Sequence, residues 1–278
     1  MNRGLWVHGA LQIPSPGTRS LPTSAECGKR MRHEEYRAMF ELEDHLWWYR
    51  GMRAVTASIL DPHLPARPDL RVLDIGCGTG YSLQWLRKKL GTRATFGVDI
   101  SPHASAFWKE HGLNTAAIGS AHQVPLASET FDLVTCFDVI YQLPSADAET
   151  AIVEMHRVLK PGGLLFIREP AYEWMRGGHD IAVGTDHRYT LGRLKRALTD
   201  HDFALKRATY ANSLLFGAAV PHRLVSRWRG SVESDVKPVA PWLNTGLAAA
   251  LKLEALLITR LSFPFGLSVT ALAQKKAR

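Results

Sequence analysis

Val72-Leu73-Asp74-Ile75-Gly76-Cys77-Gly78-Thr79-Gly80-Tyr81 is an apolar run that closes on an acid and then places three glycines at alternate positions. An amphipathic segment, Tyr81 to Leu90, follows. This order predicts a strand, a tight turn and a helix, with the turn at the carboxyl end of the strand, the edge where open α/β sheets bind ligands. Three tasks are expected of the glycines. One admits a backbone conformation closed to residues with a Cβ, one lets a ligand touch the main chain, and one lets helix pack closely on strand. The spacing restricts the ligand. A dinucleotide fingerprint needs glycine at the sixth position, where Tyr81 stands, and a P-loop needs a Lys-Ser/Thr ending that is absent.

Downstream, Thr95-Phe96-Gly97-Val98-Asp99-Ile100 reads as a second strand ending in an acid, 25 residues after Asp74. That distance suits one βαβ unit. An acid at this strand tip accepts hydrogen bonds from ribose hydroxyls, so Asp99 points to a nucleoside. Ser101-Pro102 opens a helix with a cap and a proline at its first position. Ala116–Gly119, Phe131–Phe137 and Leu164–Ile167 read as further strands, with a helix from Pro144 to Leu159 that stops at Lys160-Pro161-Gly162-Gly163. Thr190 caps a helix from Leu191 to Leu198, Phe203–Tyr210 is a sixth strand and Pro264–Ala273 a seventh. The alternation predicts an α/β fold: a doubly wound, mostly parallel seven-stranded sheet, Rossmann-like, with N-terminal helices and a helical insertion before the last strand.

Asp74–Gly80, Asp99, Phe131-Asp132-Leu133-Val134 and Val158-Leu159-Lys160-Pro161-Gly162-Gly163, in that order, resemble the motifs of class I S-adenosylmethionine-dependent methyltransferases over roughly residues 34 to 205. The Trp47–Arg53 stretch, two helices before Pro264 and the Pro-Phe-Gly-Leu-Ser run resemble a bacterial, type 11-like subgroup and extend the likeness over nearly all of the chain beyond Met31. The resemblance implies S-adenosylmethionine as methyl donor. Asp74, Gly76, Cys77, Gly78 and Gly80 would surround its methionine part, Asp99 its ribose and Ile100 its adenine, while Ala121 and Phe137 would line the adenine and methionine pockets. Two positions depart from the family pattern. Ser120 stands where an acid is usual, and Tyr141-Gln142 where Glu-His is common.

The aromatic stretch from Leu46 to Arg53 reads as helix packing on the sheet or as a lid over the ligand. In the lid reading, aromatic faces attract a sulfonium, and Arg50 or Arg53 meets a ligand carboxylate. The helix from Asn244 to Arg260 is apolar nearly all round and is expected to pack in the core, with a substrate tunnel, a dimer face or a shallow membrane contact as the alternatives. The helix from Ser213 to Trp228 sets Arg223 and Arg227 beside Trp228 and Arg229, a basic and aromatic combination suited to an anionic head group and a peripheral membrane contact. The expected divisions are residues 1–30, disordered or a misassigned extension before Met31; a helical lid over 31–68; the α/β core over 69–210; the insertion over 211–263; and the last strand with a basic tail over 264–278.

The 278 residues are 46% hydrophobic and 22% charged, an ordinary globular balance, with a formal charge of +8. Ten Lys/Arg against four Asp/Glu lie between Arg176 and Arg229. Cys27, Cys77 and Cys136 have neither metal spacing nor an even count, so no metal site is expected and a reducing cytoplasm suits the chain. No signal-peptide pattern and no membrane-spanning apolar run stand out. The expected activity is methyl transfer to a small-molecule or lipid/glycan-intermediate acceptor at oxygen or nitrogen. His187, between the fifth strand and the next helix, is the candidate base. No specific nucleic-acid partner is expected. The alternatives are an RNA or protein methyltransferase, a non-catalytic nucleoside-binding protein and, disfavoured by Tyr81, a nicotinamide oxidoreductase.

Overall fold

A computed structural model describes residues 33–64, 67–177, 180, 184–228 and 238–277. The expectation for residues 1–30 lies outside them. In chain order the strands are β1 (Arg71–Ile75), β2 (Ala94–Asp99), β3 (Ala116–Ile118), β4 (Phe131–Phe137), β5 (Leu159–Pro170), β6 (Phe203–Ala211) and β7 (Ser268–Lys275). They form one sheet in the order β3-β2-β1-β4-β5-β7-β6. The pairs β1–β2, β1–β4, β2–β3 and β4–β5 are parallel, and β7 runs antiparallel to both β5 and β6. The sheet is therefore mostly parallel and seven-stranded, as the alternation predicts. The strand order reverses between β1 and β4, which opens a crevice at their carboxyl ends.

The helices are α1 (His33–Leu42), α2 (Trp47–Leu60), α3 (Tyr81–Leu90), α4 (Pro102–Glu110), α5 (Ser145–Val158), α6 (Leu191–Thr199), α7 (Phe216–Trp228) and α8 (Pro241–Ile258). The Ser101 side chain accepts from His103 N and the Thr190 side chain from Arg193 N, so both expected caps are made. Successive side chains of a strand face opposite ways. Leu73 joins the core under α5 and α6, with Met155, Ile167 and Leu194. Val72 joins the opposite core, with Leu86 of α3, Val55 of α2 and Leu251 of α8.

α2 and α8, with α3, thus cover one sheet face together. A Cβ on Gly51 would stand 2.3 Å from Leu251 Cδ1, so α2 and α8 meet at close range through a glycine. Trp47 N, an orphan donor at the head of α2, finds its acceptor in Asn244 Oδ1 of α8 at 2.7 Å, and Asn244 Nδ2 donates to His45 O at 3.0 Å.

Three expectations need correction. Lys160-Pro161-Gly162-Gly163 does follow the end of α5 at Val158, but the run also lies inside β5 and not in a turn before it. The pairing moves from Phe131↔Leu159 to Leu133↔Leu164, and the extra residues form a bulge with Gly162 at φ +77°. The seventh strand begins at Ser268, four residues later than expected, after Gly266 has passed too close to Ala211 O for a side chain. The helix expected to pack in the core is buried on one face only. Ala248, Leu251, Glu254, Ala255 and Ile258 turn inward, while Trp242, Leu253 and Leu256 turn out.

Candidate active site

The glycine turn rises from β1 with all three glycines at positive φ, +75° at Gly76, +53° at Gly78 and +94° at Gly80. A Cβ on Gly76 would stand 2.2 Å from Val139 Cγ2, so this glycine lets β1 pass the loop after β4. Gly78 is the open one. An added Cβ would meet only Met39 Cε, at 3.5 Å, so the main chain here faces free space. That space belongs to a cavity of about 560 Å³ at the carboxyl ends of β1, β2 and β4.

Asp74, Gly76, Cys77, Gly78, Asp99, Ile100, Ala121, Phe137 and Arg53 all line the cavity. Asp99 is buried, and its two oxygens are held by protein donors. Gly78 N donates at 2.8 Å, Ser101 N at 2.9 Å and Tyr36 Oη at 3.4 Å. Burial pushes its pKa up, and the backbone donors oppose the rise. Asp74 accepts from Thr135 Oγ1 at 2.6 Å and from Ser82 Oγ, which fastens β1 to β4 and α3. Burial lifts its pKa to about 6. Ile100 presents a partly exposed apolar edge, fit for one face of a flat ring.

Two predicted site residues lie elsewhere. Gly80 does not line the cavity. A Cβ there would strike Leu113 Cδ1 at 2.3 Å, so its role is packing. His187 does not line it either. Its backbone N donates to Tyr141 O, Nδ1 stands 3.3 Å from Asp186 Oδ2, and Nε2 is enclosed without a hydrogen-bond partner among the described residues. Burial lowers its pKa. The ring is a neighbour of the cavity and not part of its lining. Arg53 reaches the cavity, but Nη1 and Nη2 donate to the carbonyls of Glu43, at 2.6 Å, and Asp44, at 3.2 Å, and the guanidinium lies 4.7 Å from the Tyr81 ring centroid.

Several contributors stood outside the predicted site residues. Glu43, at the end of α1, accepts from Thr79 Oγ1 at 2.6 and 2.7 Å, so the N-terminal segment holds the glycine turn directly. Burial lifts its pKa to about 7 against the Thr79 bond and Arg53. Asp138, at φ +57°, pairs with Arg168, whose guanidinium sits 4.9 Å from the Trp48 ring and 5.0 Å from Phe137. This stack ties α2 to β4 and β5 across the cavity. Glu169 lies behind the wall. It accepts from Ile140 N at 3.1 Å and Tyr141 N at 3.2 Å and so shapes the loop after β4. The Trp47–Arg53 aromatics, noted as a lid, together with Phe137 and Tyr141, carried the sequence's hints of this wall.

Residues 73–167 match the model of a family described as a methyltransferase domain. This segment resembles the methyltransferase domains of that family. A ubiquinone biosynthesis O-methyltransferase of Pseudomonas aeruginosa is 30% identical over 143 residues, 47% of this chain and 60% of that protein. The chain thus spans three-fifths of the length of that relative. In fold, the domain and its flanking helices resemble a methyltransferase of Haloferax volcanii solved with the Trm112 methyltransferase activator (TM-score 0.58, 19% identity, 88% of this chain and 95% of that one). They also resemble an S-adenosylmethionine-dependent methyltransferase of Mesorhizobium loti (TM-score 0.54, 18% identity, 83% and 99%). The open Gly78 backbone, the Asp99 carboxylate and the apolar Ile100 edge fit a nucleoside with a charged tail.

Proposed function

We propose that this protein binds S-adenosylmethionine in the cavity and transfers its methyl group to a small-molecule or lipid-linked acceptor at oxygen or nitrogen. The observation that carries this reading is the continuity of the cavity. One hollow joins the Gly78–Asp99 end to a wall of Trp47, Trp48 and Tyr141, so donor and acceptor share one space. Its volume suits small molecules rather than a folded macromolecule. The kinship with an O-methyltransferase of ubiquinone biosynthesis supports an apolar acceptor.

When bound, S-adenosylmethionine supplies an activated methyl on a cationic sulfur. Asp99 would accept from its ribose, the Gly78 main chain would pass beside its methionine part, and Ile100 and Ala121 would enclose its adenine. The protein's task is then alignment, which is worth up to roughly 7–11 kcal/mol in ideal cases. Trp47, Trp48 and Tyr141 would hold the acceptor and exclude water. With His187 outside the cavity, the reading assigns no general base. Incubating the full chain with methyl-labelled S-adenosylmethionine and a cell extract, then separating organic-soluble, RNA and protein fractions, tests it. Label in the organic-soluble fraction is expected. Label confined to RNA or protein overturns the acceptor class.

A further inference from the structure

The exposed side of α8 is an apolar face with charge of one sign. Trp242 is 76% exposed, Leu256 71% and Leu253 53%, and Leu257, Leu261 and Phe265 continue the patch past the helix end. At helical spacing, positions 242, 249, 253, 256 and 260 share one side, and Ala248, Leu251, Glu254, Ala255 and Ile258 occupy the opposite, buried side. Among the described residues nothing covers the outer face. The charges are sorted as well. Lys252 and Arg260 are exposed beside the leucines. The helix's single acid, Glu254, is fully buried and accepts from Ser213 N at 2.6 Å and Leu214 N at 2.9 Å. Arg207 closes the carboxyl end of the helix by donating to Ile258 O at 2.6 Å.

We infer that this face of α8 docks on an anionic lipid surface, with the leucines and Trp242 in the head-group boundary and Lys252 and Arg260 against lipid phosphates. A protein of net charge +8 is attracted to such a surface. A second copy of the chain is the poorer occupant, because symmetric pairing would bring the cationic flanks of two copies together. α8 is bonded through Asn244 to the head of α2, whose Trp47 and Trp48 line the cavity. Docking would therefore hold the cavity close to the bilayer and favour acceptors that partition into lipid.

The test is flotation of the full chain with vesicles of phosphatidylcholine and phosphatidylserine, against phosphatidylcholine alone. It needs no methyl transfer, so its result stands apart from that of the proposed activity. The wild type should float with the anionic vesicles and lose binding as salt rises. A Leu253→Gln/Leu256→Gln variant, changed only at exposed positions, should keep its melting temperature and bind roughly tenfold or more weaker per leucine. Lys252→Gln/Arg260→Gln should remove the preference for phosphatidylserine. No binding by the wild type, or full binding by the leucine variant, overturns the inference. So does a wild-type dimer in sedimentation that the leucine variant dissociates, since that result makes the face a contact between copies.

Discussion

Asp99 engages three protein donors, Gly78 N, Ser101 N and Tyr36 Oη, and a carboxylate has about four acceptor sites. One site stays open, and the 3.4 Å contact to Tyr36 is the weakest of the three. Removing a charge-assisted bond to ribose should lower affinity for S-adenosylhomocysteine about ten- to a hundredfold in Asp99→Ala, measured by calorimetry. An unchanged Kd contradicts the assignment. Glu43 gives a pH signature. Its folded pKa, about 7, lies above the ordinary 4.5, mainly through burial. The stability it contributes is therefore fully present below about 4.5 and is lost as pH rises through about 7. Glu43→Gln carries no such charge. Its stability relative to wild type should rise by on the order of 1–3 kcal/mol between about pH 5 and about pH 8, read by urea denaturation. A pH-independent difference would show that Glu43 is not protonated by burial. Asp99 could be read from the sequence because an acid at a strand tip has one geometry. Glu43 could not, because its burial depends on Thr79, 36 residues on, and on His111, whose Nε2 stands 3.4 Å away.

At the scale of elements, α2 and α8 behave as one layer. Gly51→Ala would press a methyl into Leu251 and should cost about 1–3 kcal/mol in chemical denaturation. A loss near zero would mean that the two helices slide apart freely. Asn244 caps α2 from another helix, so Asn244→Ala should cost about 0.5–2 kcal/mol, again by denaturation. The strands, the Ser101 and Thr190 caps and the glycine turn were readable because their signals are local. The layer was not. Leucines all around α8 hide which side packs, and Gly51 decides it from 200 residues away. The Lys160-Pro161-Gly162-Gly163 run was legible as the end of α5 but not as part of β5, for a related reason. Breakers that end a helix also suit a bulge, and the pairing with β4 selects the bulge.

For the whole molecule, the sheet order places the β1–β4 crevice beneath the cavity, and α1, α2 and the insertion close it from one side. The Gly78–Asp99 end of the cavity was legible in the sequence, because main-chain cradles and strand-tip acids have fixed spacing. The other end of the cavity is assembled from Trp48, Tyr141, Arg168 and Asn212, drawn from distant segments, and has no spacing to read. The central claim is that this cavity takes S-adenosylmethionine. Thermal unfolding of the full chain with S-adenosylmethionine, S-adenosylhomocysteine and NAD tests it most directly. The account predicts a saturable rise in Tm with both sulfur nucleosides, lost in Asp99→Ala, and none with NAD. No rise with either sulfur nucleoside, or an equal rise with NAD, would contradict it.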